Sequence, residues 1–155
     1  FNRMYIIEES NGKSNLWDTI KTGDLKIIYN SIKEWQYESE ERIWGKFYNL
    51  FTDNKVKLKE LIVAPGKGMS LQKHFQRDEI WFISQGECVV NFSEESPEKI
   101  KEFHLKKHDS FSVKKNEWHQ ITNPFNEECK IIEVQYGDKT DEDDIERHSY
   151  YKNNE

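Results

Sequence analysis

Short runs of strand-forming residues that alternate with turn residues are the feature that most restricts the fold of this chain. The runs cover residues 57–63, 79–84, 87–92, 101–105, 110–113, 119–122 and 130–136. Gln85-Gly86 joins the second run to the third and predicts a hairpin there. Many short strands with regularly spaced turns are typical of a sandwich or barrel, so we expect an all-β fold.

Outside this strand-rich region the sequence is less regular. Residues 1–40 are weakly patterned, and we expect an N-terminal extension that adds strands or serves as a dimer arm, because edge strands need covering. Residues 41–147 are predicted to form the barrel domain and residues 148–155 a polar C-terminal tail. The charged run Glu38–Arg42 is interpreted as a solvated connection rather than a site.

The composition indicates one packed domain and excludes several classes of partner. The 155 residues are 35% hydrophobic and 14% aromatic, which is enough for a core. The net charge of −6 and the lack of a basic block argue against nucleic acid and anionic membranes as partners. No apolar run approaches the length of a transmembrane helix. Cys88 and Cys129 lack C-x-x-C spacing, and we expect two thiols in a reducing cytoplasm.

Four metal-capable side chains are spaced so that a barrel wall can bring them together. Gln72 and His74 are two residues apart and face the same way on an extended strand. Glu79 begins the next run, and His119 begins a later one. This ligand set suits one divalent ion, with Zn²⁺ expected first and Mn²⁺, Fe²⁺, Co²⁺ or Ni²⁺ also compatible. A histidine taken alone is more often a surface or satisfied structural residue than a metal ligand.

The spacing of these residues resembles the first motif of the cupin superfamily. Gly66, Gln72, His74, Glu79 and Gly86 follow that motif in order, with Gln in place of its leading His. The resemblance implies a cupin double-stranded β-helix, which is a jelly-roll barrel, preceded here by the N-terminal extension.

The second cupin motif is matched only at its end. His119 and Asn123 have the expected separation. The earlier Gly, Pro and Gly positions of the motif hold His108, Lys114 and Asn116. The ligand position itself is therefore kept, while the turns before it have changed.

Within the cupins, the chain resembles the cupin domain of type II, bacterial mannose-6-phosphate isomerases. Gln in the first ligand position followed by x-His is similar to that family. The matching segments are Arg42-Ile-Trp44-Gly45-Lys-Phe, Pro65-Gly66, Leu71-Gln72-x-His74, Arg77-x-Glu79-x-Trp81, His119, Asn123-Pro124, Ile132-Glu133-Val134-Gln135-x-Gly137 and Glu142-Asp143-Asp144-Ile145-x-Arg147. The chain departs from the family at Phe75-Gln76, where two further histidines are usual, and after Ser149.

The resemblance implies isomerisation of mannose 6-phosphate and fructose 6-phosphate through an enediol, with a metal ion that stabilises charge on oxygen. Candidates for the general acid/base are Glu133, Lys59 and Arg147. Each has a structural alternative. Glu133 could face solvent, Lys59 could be a strand lysine that extends to the surface, and Arg147 could pair with Asp143 or Asp144.

The sugar and phosphate groups of such a substrate would need further contacts. Cations suited to phosphate are Arg42, Lys73 and Arg147. Three tryptophans flank the motifs and are expected in the core or the cavity wall: Trp44, Trp81 and Trp118. Trp118, next to His119, is the best placed of these for stacking on a sugar.

Two other functions and one assembly are compatible with the sequence. A cupin with two histidines and a carboxylate could be a metal-dependent oxygenase. It could also be a non-catalytic protein that binds a sugar or a nucleotide sugar, because a fold alone does not define an activity. We also expect a homodimer.

Overall fold

The computed structural model describes residues 33–154, which contain eleven strands in two antiparallel sheets. The strands are β1 (Glu38–Arg42), β2 (Gly45–Thr52), β3 (Val56–Val63), β4 (Leu71–Lys73), β5 (Arg77–Gln85), β6 (Cys88–Ser93), β7 (Lys101–Leu105), β8 (Ser110–Val113), β9 (Trp118–Thr122), β10 (Cys129–Gly137) and β11 (Glu146–Ser149). One sheet has the order β1-β2-β3-β10-β5-β8, and the other has the order β11-β4-β9-β6-β7. Two single-turn 3-10 helices cover Pro97–Lys99 and Lys152–Asn154. The prediction of an all-β fold is confirmed.

The chain divides between Ser39 and Glu40 into two compact units. Residues 1–32 of the predicted N-terminal extension lie outside the described residues; within the first unit, a helical turn covers residues 33–36. At the other end, the predicted boundary after residue 147 falls inside β11. Asn154, in the predicted polar tail, is buried and pairs with the backbone N–H and carbonyl of Gly68.

The seven runs that were predicted as strands coincide with β3 and with β5 to β10. Four strands were not predicted. β1 is the charged run Glu38–Arg42, and its residues are all exposed, so it is solvated as expected but is a strand rather than a connection. β4 has only three residues, which is too short to display an alternating pattern.

The interior of the barrel changes from apolar to polar along the strands. On β5 and β10 the residues at alternate positions are buried, as expected for strands with one face inside. At one end these inward positions hold Ile83 and Ile131 in the hydrophobic core. Further along the same strands they hold Glu79, Glu133 and Gln135, which are also buried. The apolar end stabilises the barrel, and the polar end contains the candidate site.

The changed turns of the second motif keep a glycine-like backbone. His108 and Asn116 have φ angles of 76° and 67°, in the left-handed region that favours glycine. The Asn116 N–H donates to the carbonyl of His74 at 2.7 Å, so this turn is tied directly to the first motif. The left-handed conformation is kept without glycine, at a strain that Asn tolerates better than most residues.

No helix among residues 33–154 has the length and hydropathy that crossing a membrane would require.

Candidate metal and substrate site

Three of the four predicted metal ligands lie together inside the barrel. His74 follows β4, Glu79 lies on β5 and His119 lies on β9. One ligand atom from each residue lies within 4.8 Å of the others, and all three side chains are buried. Two sheets contribute to this cluster, because β4 and β9 belong to one sheet and β5 to the other. The cluster can hold one divalent metal ion.

The hydrogen bonds of the two histidines leave their Nε2 atoms as electron-pair donors. Nδ1 of His74 lies 2.5 Å from the carbonyl oxygen of Asp144, and Nδ1 of His119 lies 2.9 Å from that of Glu117. A carbonyl can only accept, so each Nδ1 carries the proton and each neutral ring has an unprotonated Nε2. Nε2 of His119 is buried and has no hydrogen-bond partner among the described residues. This tautomer is the one that a metal-binding histidine adopts.

The charges in the cluster favour the protonation state that a metal ion requires. Burial lowers the pKa of His74, and it lowers the pKa of His119 to about 4, so both imidazoles are neutral near pH 7. Burial alone would raise the pKa of Glu79, but the neighbouring His74, His119 and Arg77 prevail and hold it at about 2. Neutral imidazoles and an ionised carboxylate are the ligand forms that bind metal.

Gln72, the fourth predicted ligand, lies directly opposite His119 in the pairing of β4 with β9. It lines the same cavity as His74 and Glu79. Its Oε1 accepts a hydrogen bond from the Ser70 hydroxyl at 3.1 Å.

Arg77 is a buried residue of this site that was not among the predicted site residues. Its Nε donates to Oε1 of Glu79 at 3.0 Å, and its other nitrogens contact the carbonyl of Asp141 at 3.0 Å and Nε2 of His74 at 3.2 Å. The guanidinium therefore holds Glu79 in place and donates to the His74 Nε2 electron pair, which a bound metal ion would take instead. The sequence did contain a signal for Arg77. In Arg77-x-Glu79-x-Trp81 the side chains are two residues apart, so a strand places all three on the same face.

Asp144 is a second supporting residue that was not predicted. Its carboxylate accepts hydrogen bonds from the backbone N–H groups of Phe75 and Gln76 at 3.0 and 2.9 Å. Its own carbonyl accepts the Nδ1 proton of His74. The loop after β4 is thereby held at His74 and at the two residues that follow it.

The cluster opens onto a cavity of about 290 Å³ that contains all three predicted acid/base candidates. Glu133 does not face solvent but is buried, with Oε2 accepting from the Trp81 indole at 3.2 Å and Oε1 from the Gln135 amide at 2.7 Å. Burial and the neighbouring Glu79 carboxylate raise the pKa of Glu133 to about 8. Oε1 of Gln135 is buried without a partner among the described residues.

The other two candidates lie in different surroundings. Lys59 is buried rather than extended to the surface, with its Nζ paired to Glu142 and 4.1 Å from the centre of the Phe47 ring. Arg147 is exposed on β11, opposite Gln72 in the pairing of β11 with β4, and it lines the cavity.

Of the cations and tryptophans predicted to contact a substrate, some line the cavity and others lie elsewhere on the barrel. Arg42 lines the cavity and forms an ion pair with Glu40 at 2.6 Å. Lys73 instead pairs with Glu146 at 3.4 Å and lies over the ring of Trp118. Trp118 is buried against His148, whereas Trp44 lines the cavity. The best-placed tryptophan for a ligand is therefore Trp44, not Trp118 as the sequence suggested.

Several known proteins are similar in sequence. A mannose-1-phosphate guanylyltransferase of Salmonella muenchen is 27% identical over 97% of this chain and 32% of its own length. The alginate biosynthesis protein AlgA of Pseudomonas aeruginosa is 33% identical over 68% of this chain and 21% of its own length. The chain thus spans about a third or less of these curated relatives.

Similar solved structures confirm the fold. The capsular polysaccharide assembling protein CapF of Staphylococcus aureus superposes with a TM-score of 0.62 at 16% identity, over 73% of this chain and 34% of that one. Oxalate decarboxylase of Bacillus subtilis superposes with a TM-score of 0.63 at 13% identity, over 72% and 30%. These likenesses support the cupin fold that the motif spacing predicted.

The chain also matches a model of a protein family. The model described as "Mannose-6-phosphate isomerase C-terminal" matches residues 30–149, which is well over half of the chain. With its cupin fold and its matching motifs, this chain belongs to the mannose-6-phosphate isomerase C-terminal family.

Proposed function

We propose that this chain is a metal-dependent sugar-phosphate isomerase that interconverts mannose 6-phosphate and fructose 6-phosphate through an enediol. The observation that carries the proposal is the buried, unpartnered Nε2 of His119, which clusters with His74 and Glu79. His74 and Glu79 in turn line a cavity together with the buried Glu133. Such an arrangement offers both a metal site and a proton carrier within one enclosed volume.

In this proposal His74, Glu79 and His119 hold the ion, with Gln72 as the fourth ligand. The residues fit a metal, because both histidines present unprotonated Nε2 atoms and one of these atoms has no other partner among the described residues. A bound divalent ion would supply Lewis-acid stabilisation of negative charge on the substrate oxygens. The set suits Zn²⁺ best, and Mn²⁺, Fe²⁺, Co²⁺ and Ni²⁺ are also compatible.

Glu133 is the proposed carrier of the proton that moves between C1 and C2. Its carboxyl is buried, lines the cavity and is held at both oxygens, by Trp81 and by Gln135. A pKa of about 8 is close to the pH at which a general acid/base must exchange its proton. Lys59 forms an ion pair with Glu142, so it is better suited to neutralising negative charge in the cavity than to transferring a proton.

Arg147 is the proposed partner of the substrate phosphate. It lines the cavity from an exposed position on β11. Arg42 lines the same cavity but is already paired with Glu40, and Lys73 is paired with Glu146. A guanidinium suits phosphate because its N–H groups match two phosphate oxygens.

A coupled assay tests this function. Protein loaded in turn with Zn²⁺, Mn²⁺ or Co²⁺ would be given mannose 6-phosphate, and the fructose 6-phosphate formed would be measured. We expect turnover that EDTA abolishes, and a loss of about 10²-fold or more in kcat for Glu133→Gln. Glu102→Gln, at an exposed position on β7, is the control and should keep full activity. Absence of turnover with every metal would contradict the isomerase proposal.

Two observations favour a second candidate function. The guanylyltransferase and the alginate biosynthesis protein are about three times longer than this chain or more. The histidines that are usual after His74 are replaced by Phe75 and Gln76. A non-catalytic domain that binds a sugar or nucleotide sugar would be compatible with both facts. Calorimetric binding of mannose 6-phosphate or GDP-mannose, without turnover, would favour this binding role.

A homodimer is the proposed assembly. The outward face of β5 and β10 exposes Ile80, Phe82 and Tyr136, each between 38% and 39% accessible. A second copy of the chain would cover these apolar side chains. Sedimentation of wild-type protein and of Phe82→Lys tests this: we expect a dimer that the substitution weakens, and a monomeric wild type would contradict it.

A further inference from the structure

Trp81 contacts two carboxyl groups of the cavity with one N–H group. Its Nε1 lies 3.2 Å from Oε2 of Glu79 and 3.2 Å from Oε2 of Glu133. An indole N–H can only donate, so a single proton is shared between the two carboxyls. Trp81 therefore does more than fill the core, which is the role that the sequence favoured.

The position of the indole follows from strand geometry. Trp81 and Glu79 are two residues apart on β5 and face the same way. Trp81 lies directly opposite Glu133 in the pairing of β5 with β10. The ring is fully buried, stacks on Phe111 with centroids 6.0 Å apart, and meets the edge of His119 at 5.5 Å. It is packed on both sides and cannot turn away without disrupting the core.

The other oxygen of each carboxyl has a partner of its own. Oε1 of Glu79 accepts from Arg77, and Oε1 of Glu133 accepts from Gln135. The result is a continuous row from Arg77 through Glu79, Trp81 and Glu133 to Gln135, in which each carboxyl is held at both oxygens. Neither carboxyl can rotate without breaking a bond to the shared indole.

We propose that Trp81 is a positioning residue that fixes the metal ligand Glu79 and the proton carrier Glu133 relative to each other through its single indole N–H. The inference rests on the proposed metal site. Its physical basis is that both buried carboxyls accept from the same N–H group of a tightly packed ring, so neither can move relative to the other without breaking a hydrogen bond. Residues that orient metal ligands contribute about 10- to 100-fold to metal affinity.

The first experiment measures the affinity for Zn²⁺ and Co²⁺ by competition with a chromophoric chelator. Trp81→Phe removes the N–H and keeps a six-membered aromatic ring. Phe111→Leu is the matched control, because it loosens the packing on Trp81 and keeps the N–H. We expect Trp81→Phe to bind both ions about 10-fold or more weakly, and Phe111→Leu to bind them as wild type does. Equal affinities for the two variants would overturn the positioning role.

The second experiment needs neither metal nor activity. The indole ¹H–¹⁵N resonance of Trp81, assigned by its loss in Trp81→Phe, would be recorded in metal-free protein. We expect its chemical shift to change in both Glu79→Gln and Glu133→Gln, since each substitution replaces one of the two carboxyl acceptors of the N–H group. A response to only one substitution, or to neither, would overturn the shared bond. If wild-type protein bound no divalent ion, the metal site and the positioning role would both fail, while the resonance would still report whether the bond is shared.

Discussion

Nε2 of His119 lies 3.7 Å from Oε2 of Glu79 and has no hydrogen-bond partner among the described residues. A buried nitrogen with an unused electron pair costs free energy, about 1–3 kcal/mol, unless something binds to it. The neighbouring Nε2 of His74 lies 3.2 Å from the other oxygen of Glu79. The three side chains are therefore a possible binding site for a cation, as the proposed function requires.

Metal ions are therefore expected to stabilise the folded protein. At a free Zn²⁺ concentration of 100 times Kd, binding contributes about 2.7 kcal/mol, which for a chain of this size raises Tm by roughly 5–10 °C. His119→Ala should abolish the shift. His104→Ala is the control, because His104 is an exposed histidine paired with Glu87, and it should keep the shift. A thermal melt with and without EDTA measures the effect, and an unchanged shift in His119→Ala would place the ion elsewhere.

Asp144 is expected to control metal affinity without binding the metal. Asp144→Ala removes the two hydrogen bonds that fix the backbone of Phe75 and Gln76, and so loosens His74. We expect a loss of about 10-fold in affinity for Zn²⁺, in the range found for residues that support ligands. Asp143→Ala, next to it and exposed, is the control. Titration against a fluorescent zinc chelator gives both values, and equal affinities would exclude this role.

Glu133 should make the stability of the metal-free protein depend on pH. Its pKa is raised to about 8 in the fold, above the usual value of about 4.3 for a glutamate in an unfolded chain. The folded state therefore binds more protons between these values, and stability is lost as the pH rises from about 5 through 8.

Glu133→Gln cannot ionise and should flatten this part of the stability profile, whatever its effect at pH 5. Urea unfolding of both proteins in EDTA, at several pH values from 5 to 9, measures the two slopes. If the free energy of unfolding changed with pH in the same way for wild type and variant, the extra proton bound by the folded state would not be on Glu133.

At Asn116 we expect glycine and alanine to have different effects on the free energy of unfolding. Its φ of 67° is accessible to glycine without strain, whereas alanine has a Cβ that opposes it. We expect Asn116→Ala to lower the free energy of unfolding by about 1 kcal/mol and Asn116→Gly to change it by a few tenths. Lys115→Ala, at the preceding position, controls for side-chain loss. Denaturant unfolding measures all three, and equal losses for Ala and Gly would show that backbone conformation is not the cause.

Much of the fold could be read from local sequence patterns. The strands β3 and β5 to β10 have alternating or β-branched residues over four or more positions, and these patterns predicted them. β4 has three residues and β1 is fully exposed, so neither carries a pattern of burial. Their formation depends on neighbouring strands, which a local pattern does not reveal.

For a similar reason, the sequence predicted the candidate metal ligands but not the residues that hold them in place. His74 and Glu79 are separated by one turn, so their spacing in the motif is informative by itself. Lys59 and its partner Glu142 are 83 residues apart, and no local signal connects them. Arg77 and Asp144 were missed because their importance lies in the atoms that they hold, which are visible only after the loops have folded.

The sequence by itself determined the β character of the chain, the types of side chain available as ligands and their spacing in the motif. Only the tertiary structure decided that Trp81 faces Glu133 and that Gln135 faces Glu79, through the register of β5 against β10. The physical reason is the two-residue period of a strand: a shift of one residue would turn Glu133 and Gln135 to the outer face of the sheet. That register depends on the packing of the whole barrel, and it makes a row of polar residues into a site.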